Sequence, residues 1–581
     1  MKIPQFNCVC ALAIASLLSA CGSTAPSASD DSLVRTQSGD VVGYEGDHDT
    51  YVWKGIPYAA PPVAALRWRA PQPIAPWQGV HESLAFGPAC VQPANPTSGP
   101  NAPESEHVVG VEDCLTLNIF APQKARSGEE PLPVMFWIHG GANMMGSSQL
   151  YESSRLADGQ NVVVVSINYR LGLLGWFRHA SLRPSGASLA DHSGNYGTLD
   201  IIAALEWVRD NIEEFGGDPG RVTVFGESAG GRNVWSMVQT PLAKGLFHGA
   251  IVQSGSLKIM DAQKSERIDE GAIDYPSHEN NGEQLVAKIV PAYEGMDSET
   301  VANELRGKTP DEIYAQIIPH PQGMYEQPRL FLDGHVFVQP ALELFEDPSK
   351  YNAVPIITGT NRDEDKLFML YDPRWVDFRF GFLPKVKDEQ RYNAAAALGA
   401  DTWRVYSVDV PAQVITEHGG PPVYTYRFDF DDLSDTIVDL STLIGAAHSM
   451  EIPFVFGTHV ESPWSWIFSN KEQRSVMSNA MMSYWGNFAY TGNPGKGSAG
   501  EQVFWPQWQE KGEHIMLFDT QNDGGVRMVE DRLKVDDIKQ RLLSDAIFSR
   551  EERCVAYPLI LLNGYMVSDG YDETEHKSLC E

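Results

Sequence analysis

Gly226-Glu227-Ser228-Ala229-Gly230 sets a serine between two glycines directly after the apolar run Val222-Thr223-Val224-Phe225. A serine hydroxyl is a weak nucleophile at its own pKa, so acyl transfer needs it held clear of the fold beside a base. The G-x-S-x-G pattern alone has little specificity. Its position supplies more, because a strand-like run precedes it and Val234, Trp235, Met237 and Val238 follow at helical spacing. The glycines would then admit a tight strand-to-helix turn, with the Ser228 Oγ at the helix N-terminus. A tetrahedral intermediate also needs N–H donors, each worth about 3 kcal/mol. His139-Gly140-Gly141, after the run Val134 to Ile138, is a loop whose missing side chains let backbone amides approach a substrate. Gly141, Ala142 and Ala229 are the expected donors, and His139 is expected to fix the loop rather than act as a base. The chain has no C-x-x-C and no H-E-x-x-H, so the sequence calls for no metal and no cofactor.

The elements that must position these groups read as an α/β fold. Val134–Ile138, Val162–Ile167, Val222–Phe225, Ala250–Val252 and Pro355–Ile357 are short apolar runs of the kind a buried, largely parallel sheet requires. Ile201, Leu205, Val208 and Ile212 share one face of a helix from about Asp200 to Glu214, ended by Gly216-Gly217-Asp218-Pro219. Residues 261–350 show no clear strand and are expected to form helices and loops over one edge of the sheet. Residues 551–581 read as a tail tied down by a disulfide.

The 581 residues are 43% hydrophobic, enough for one large core, and 44 Lys and Arg against 76 Asp and Glu leave a formal charge of −32. Nucleic acid is thereby excluded as an expected partner, since phosphate binding needs clustered cations. Lys2 and the apolar run Val9 to Ala20, too short to span a bilayer, predict a signal peptide over residues 1–20. Leu18-Ser19-Ala20-Cys21 resembles the lipobox of bacterial lipoproteins, which would make Cys21 a lipidated N-terminus on a flexible tether over residues 21–30. The expected location is the periplasmic or outer face of a bacterial membrane, held by that lipid alone; the alternative is an ordinary secretory signal and a soluble exported protein. Cys90, Cys114, Cys554 and Cys580 then remain, an even number in an oxidising compartment. Of three possible pairings, proximity favours Cys90–Cys114 with Cys554–Cys580.

Several long stretches in one order resemble the type-B carboxylesterase (cholinesterase/lipase-like) family of α/β-hydrolases. They include Gly55-Ile56-Pro57-Tyr58-Ala59, Glu112-Asp113-Cys114-Leu115, Asn168-Tyr169-Arg170-Leu171-Gly172, the Ser228 elbow and Gln253-Ser254-Gly255. Thr358-Gly359-Thr360-Asn361-Arg362-Asp363-Glu364, Ala447-His448 with Glu451-Ile452-Pro453-Phe454, and Tyr484-Trp485-Gly486-Asn487-Phe488-Ala489 complete them. The resemblance implies one hydrolase domain over about residues 31–550, with an inserted helical region over the active site. It implies a triad of Ser228, Glu364 and His448, supported by Glu227 and Ser254, that cleaves carboxylic esters through an acyl-serine intermediate. An interfacial lipase is the alternative within enzymes, and a non-catalytic adhesion member the alternative outside them; all three triad positions hold competent side chains.

Three departures from the family pattern matter. Asp365 follows Glu364 where the family has glycine, which makes Asp363 and Asp365 rival acids. Ala142 and Asn143 replace a glycine and an aromatic in the donor loop. No Trp lies between Cys90 and Cys114, where cholinesterases hold a quaternary ammonium, so a small neutral ester is the expected substrate.

Overall fold

The computed structural model describes residues 26–94, 108–126, 130–266, 282–317, 330–434, 436–459, 465–512, 514–561 and 571–581. The expected signal peptide, Cys21 and the first residues of the tether, 22–25, lie outside them. The strands of the main sheet are, in chain order, β1 (Tyr44–Glu45), β2 (Thr50–Pro57), β3 (Thr116–Pro122), β4 (Leu132–Ile138), β5 (Val163–Ile167) and β6 (Gly217–Glu227). There follow β7 (Gly249–Gln253), β8 (Ile356–Asn361), β9 (Val423–Phe428), β10 (Ile515–Phe518) and β11 (Arg527–Val529). They lie side by side as β11-β10-β9-β8-β7-β6-β4-β5-β3-β2-β1. The stretch from β10 to β5 is parallel throughout, and the strands at both edges are antiparallel. This is the α/β architecture expected from the sequence, and all five runs expected as strands lie in this sheet.

The patterning follows from burial on both faces. Every residue of β4 and β5 is buried, so neither strand has a polar side to show to water. Alternate residues of β4 go to opposite cores: Val134, Phe136 and Ile138 to one apolar cluster, Met135 and Trp137 to another. The register pairs Phe225 with Trp137 and Gly226 with Ile138, so β4 and β6 end side by side. The loop after Ile138 and the turn after Glu227 therefore emerge together at the carboxyl edge of the sheet, where open α/β folds place their ligands. β7 and β8 run parallel beside them and end at Gln253 and Asn361.

The expected helix at 200–214 is α1 (Tyr196–Asn211), continued by a 3-10 turn at Ile212–Phe215 and stopped at Gly216, whose φ of 84° few other residues adopt cheaply. It begins a turn earlier than its apolar spacing suggests, because Tyr196 and Leu199 are buried as well. Within 261–350, helices at Gly282–Ile289, Ser298–Gly307 and Pro310–Tyr314 pack on Trp68, Leu173, Leu174 and Phe177 as a separate cluster. One short ladder, Met260–Asp261 with Phe331–Leu332, ties the start of this region to a point past its helices at 282–314, which the sequence did not suggest.

Both expected disulfides form, Cys90–Cys114 and Cys554–Cys580. The second links the helices Arg550–Leu561 and Glu573–Cys580, so it closes the tail on itself. What fastens the tail to the body is burial of Tyr557, Ile560 and Leu561 in the main core.

Candidate active site

Ser228 stands between β6 and α2 (Ala229–Gln239) with φ 58° and ψ −119°, a left-handed backbone that a residue with a Cβ adopts only under constraint. Its N–H donates to the Gln253 carbonyl at 2.9 Å, and its own carbonyl accepts from the Arg232 N–H at 2.9 Å. The flanking glycines are required by close approach. A Cβ on Gly230 would sit 1.9 Å from the Ile138 oxygen, and one on Gly226 would sit 2.6 Å from the same atom.

The donor loop faces this turn. Gly141, Ala142 and Asn143 all have positive φ, 97°, 58° and 59°. The loop is pinned where Gly172 donates to the Asn143 carbonyl at 2.7 Å and the Asn233 side chain donates to Asn143 Oδ1 at 2.8 Å. Among the described residues the N–H groups of Gly141, Ala142 and Ala229 meet no protein acceptor, so they are free to take an oxyanion. Asn143, in place of an aromatic, thus serves as a tie to α2. His139 is fully buried and stacked on Tyr169 at 4.5 Å, and burial lowers its pKa to about 4. It remains neutral and fixes the loop.

On the other side, His448 Nδ1 hydrogen-bonds Glu364 Oε2. The second carboxylate oxygen, Oε1, accepts from Ser254 Oγ at 2.5 Å and from the Asn361 N–H at 2.7 Å. The neighbouring acids are engaged elsewhere. Asp363 pairs with Arg362 at 2.8 Å and Lys366 at 3.1 Å and caps the Ala446 N–H at 3.0 Å. Asp365 points at α4 (Glu389–Arg404; the short helix Lys366–Met369 is α3), where a Cβ on Gly399 would come within 1.6 Å of its carboxylate. Burial, then the charge of Glu364, pushes Asp365 up to about 7. Of three successive carboxylates, the one bonded to the imidazole is Glu364.

His448 Nε2 lies 3.1 Å from Glu227 Oε1 without a hydrogen bond to it, and no hydrogen bond joins it to Ser228. Glu227 in turn accepts from Ser449 Oγ at 2.6 Å. Burial by itself would lower the His448 pKa, but the charges of Glu227 and Glu364 outweigh it and hold the imidazole well above its ordinary value. Burial raises Glu227 too, with Glu451 adding to the rise. Glu227 and His448 thus each favour the other's charged form across the 3.1 Å between them.

Five contributors were not singled out by sequence reasoning. Glu451 accepts from Asn361 Nδ2 at 2.7 Å and Gln253 Nε2 at 3.0 Å, which locks the ends of β7 and β8 to the His448 segment. Trp403 and Phe368 lay their rings 4.8 Å and 5.4 Å from the imidazole, and the Trp403 indole donates to the Ser254 carbonyl at 3.1 Å. Asn361, Glu451 and Ser449 fall inside or beside the stretches that carry the family resemblance, and their proximity to Glu364 and His448 was the available signal. Nothing local marks Trp403 or Phe368.

The pattern of the carboxylesterase family matches residues 30–378 and 383–538. The para-nitrobenzyl esterase of Bacillus subtilis is 32% identical over 84% of this chain and 95% of its own length. The fumonisin B1 esterase of Sphingopyxis macrogoltabida is 34% identical over 85% of this chain and 88% of its own. Among solved structures, a PNB esterase superposes with a TM-score of 0.67 at 29% identity, covering 88% of this chain and 99% of that one. The Geobacillus stearothermophilus carboxylesterase gives 0.66 at 28% identity, with the same coverage.

Proposed function

The chain belongs to the carboxylesterase family and is a serine hydrolase of carboxylic esters, and on that premise we propose that Ser228, His448 and Glu364 perform the chemistry. The observation that carries the assignment is the Glu364 carboxylate. One oxygen holds His448 Nδ1 and the other is fixed by Ser254 and Asn361, at the edge of the sheet where Ser228 is held in a strained turn. Glu364 fixes the imidazole tautomer and stabilises the imidazolium. His448 turns Nε2 from Glu227 toward Ser228 when substrate enters, as catalytic hydrogen bonds often tighten only in the complex. Ser228 Oγ attacks the ester carbonyl as its proton passes to Nε2, and the N–H groups of Gly141, Ala142 and Ala229 receive the oxyanion. Collapse expels the alcohol, which takes the proton from His448, and water then releases the acid by the same steps in reverse order. A fluorophosphonate probe tests this: it should label Ser228, and a Ser228→Ala chain that still reacts would refute the assignment.

The substrate class we infer is a neutral ester. No Trp lies between Cys90 and Cys114, and the nearby rings of Trp403 and Phe368 lie tilted against the imidazole and stack on each other at 6.1 Å. A choline ester and its uncharged carbon isostere should therefore have specificity constants within about tenfold in moderate salt, because the thirtyfold that a desolvated aromatic face gives a cation is missing. A hundredfold preference for the choline ester would overturn this reading. For location, we propose export and anchoring through Cys21, supported by the Leu18-Ser19-Ala20-Cys21 sequence. Cys21→Ser should abolish lipid labelling and release the protein from membranes; a wild-type protein already soluble after export would refute it.

A further inference from the structure

Twelve residues after Glu364 the chain leaves the body as a two-stranded ribbon, Val376–Arg379 paired antiparallel with Leu383–Val386. It rises from the catalytic edge of the sheet, since α3, which joins Glu364 to it, carries the Phe368 ring packed on His448. The register opposes Val376 to Val386 and Phe378 to Pro384 on one face, and Asp377 to Lys385 and Arg379 to Leu383 on the other. The ribbon is therefore amphipathic. Only the inner end of its apolar face is used: Val376 and Val386 pack with Met369, Tyr392 and Leu443. Further out Phe378 is 42% exposed, Phe380 87% and Phe382 54%.

The turn makes this exposure costly twice over. Phe380 and Gly381 have φ 56° and 81°, and the Phe382 N–H closes on the Arg379 carbonyl at 3.2 Å. The β-turn at 379–382 has positive φ at both central residues, a conformation that favours Asn or Asp at the first of them, and a bulky aromatic there is strained. The strain and the bare aromatic surface coincide at residues 379–382, the four that fall between the two spans matched by the family's pattern.

We propose that this hairpin docks the enzyme on an anionic lipid bilayer, with Phe378, Phe380 and Phe382 entering the interface and Arg379 and Lys385 meeting phosphate headgroups. Charge selects the partner. The whole chain carries −32, yet residues 371–387 hold four cations against two carboxylates, a local +2. Both carboxylates are already paired, Asp372 with Arg374 at 2.5 Å and Asp377 with Lys387 at 3.2 Å, and among the described residues Arg379 and Lys385 have no ionic partner. The acidic body does not prevent contact. A four-residue strand carries the tip about 13 Å beyond its base, whereas charges are screened over about 8 Å at physiological ionic strength. Shape selects as well. A three-residue tip offers far less than the roughly 1,200 Å² that a stable protein interface buries, but a few aromatics flanked by cations suffice for reversible binding at a membrane surface.

Amide hydrogen exchange on the full chain decides the matter, because local protection at 376–386 does not depend on how the N-terminus is held. Phosphatidylglycerol-containing vesicles should slow exchange at the tip at least about fivefold, and phosphatidylcholine vesicles should do so much less. Phe380→Ser with Phe382→Ser should remove the protection. Arg379→Gln with Lys385→Gln should weaken it by about fivefold in affinity for each cation. Hydrolysis of a small water-soluble ester should be unchanged in both variants. The proposal is overturned if the tip gains no protection, or if the Phe variants are protected equally. It is overturned too if protection appears without vesicles and grows with protein concentration, which would make a second copy of the chain the occupant.

Discussion

The two sides of the catalytic edge are built by different means. The nucleophile side is held by backbone: Ser228 at φ 58°, glycines at 226 and 230 with no room for a Cβ, and three left-handed residues in the facing loop. The acid–base side is held by side chains drawn from β7, β8, α4 and the 447–451 segment, which meet through Ser254, Asn361, Trp403 and Glu451. A constraint of the first kind is local and leaves a short motif. One of the second kind is distributed, so each member is replaceable in part and none is conspicuous alone. The difference predicts that damage on the nucleophile side is all or none, and that damage on the other side is graded.

The largest effect is expected at Ser228. Ser228→Ala should lower kcat/KM at least about 10⁴-fold while unfolding free energy stays within about 1 kcal/mol, since the side chain is only half-buried and carries no core contact. Ester turnover surviving in a folded variant would break the assignment. Glu364→Gln should come close behind, about 10³- to 10⁴-fold, by presenting the wrong tautomer to His448. Asp365→Asn should stay within a few-fold, because that carboxyl faces Gly399 and not the imidazole. Equal losses at 364 and 365 would mean that the acid has been misidentified. Ser254→Ala and Asn361→Ala belong to the graded class. Ser254→Ala removes a hydrogen bond to Glu364, whereas Asn361→Ala keeps the backbone N–H on Glu364 and removes the side-chain bonds to Glu451 and the Ala447 carbonyl that tie β8 to the His448 segment; hydrogen bonds to charged groups are worth about 1.5–3 kcal/mol, so losses of tens-fold in kcat, with KM little changed, are expected from steady-state kinetics.

The same division governs what could be read from sequence. Ser228, Gly141, Ala142 and Ala229 were legible because glycine spacing and strand-like runs report backbone geometry directly. The central strands were legible because a strand buried on both faces has no polar residue to spare. Edge strands such as β1 and β11 were not, since two or three residues at a sheet margin carry no period. Glu364 and His448 could be chosen only through the long stretches around them, and which of Asp363, Glu364 and Asp365 meets the imidazole is visible only in three dimensions. The left-handed backbones of Ser254 and Ser449, φ 50° and 69°, leave no mark in the sequence at all, because serine is not a residue that advertises positive φ.

Glu227 belongs to both sides, adjacent to the nucleophile in the chain and 3.1 Å from the base in space, so it offers the subtlest test. An unperturbed histidine titrates near 6.5. Here the negative charge of Glu227 favours the imidazolium, and a protonated His448 cannot accept the Ser228 proton, so the acid limb of the rate profile reports the imidazole in the field of Glu227. Glu227→Gln keeps the shape and removes the charge. Burial, which lowers His448, is then opposed by Glu364 and Glu451 without Glu227, so the imidazole loses its proton more readily and activity persists to lower pH. The acid limb of kcat/KM should move down by at least about one pH unit, equivalent to about 1.4 kcal/mol of lost attraction, while the alkaline plateau changes by less than tenfold. Ser449→Ala, which removes the hydrogen bond stabilising ionised Glu227, should move the limb the same way by a smaller amount, since a more readily protonated Glu227 carries less charge. An acid limb that stays fixed in Glu227→Gln, or that rises, would show that Glu227 does not set the proton affinity of the base and that the two sides of the site are coupled through Ser228 alone.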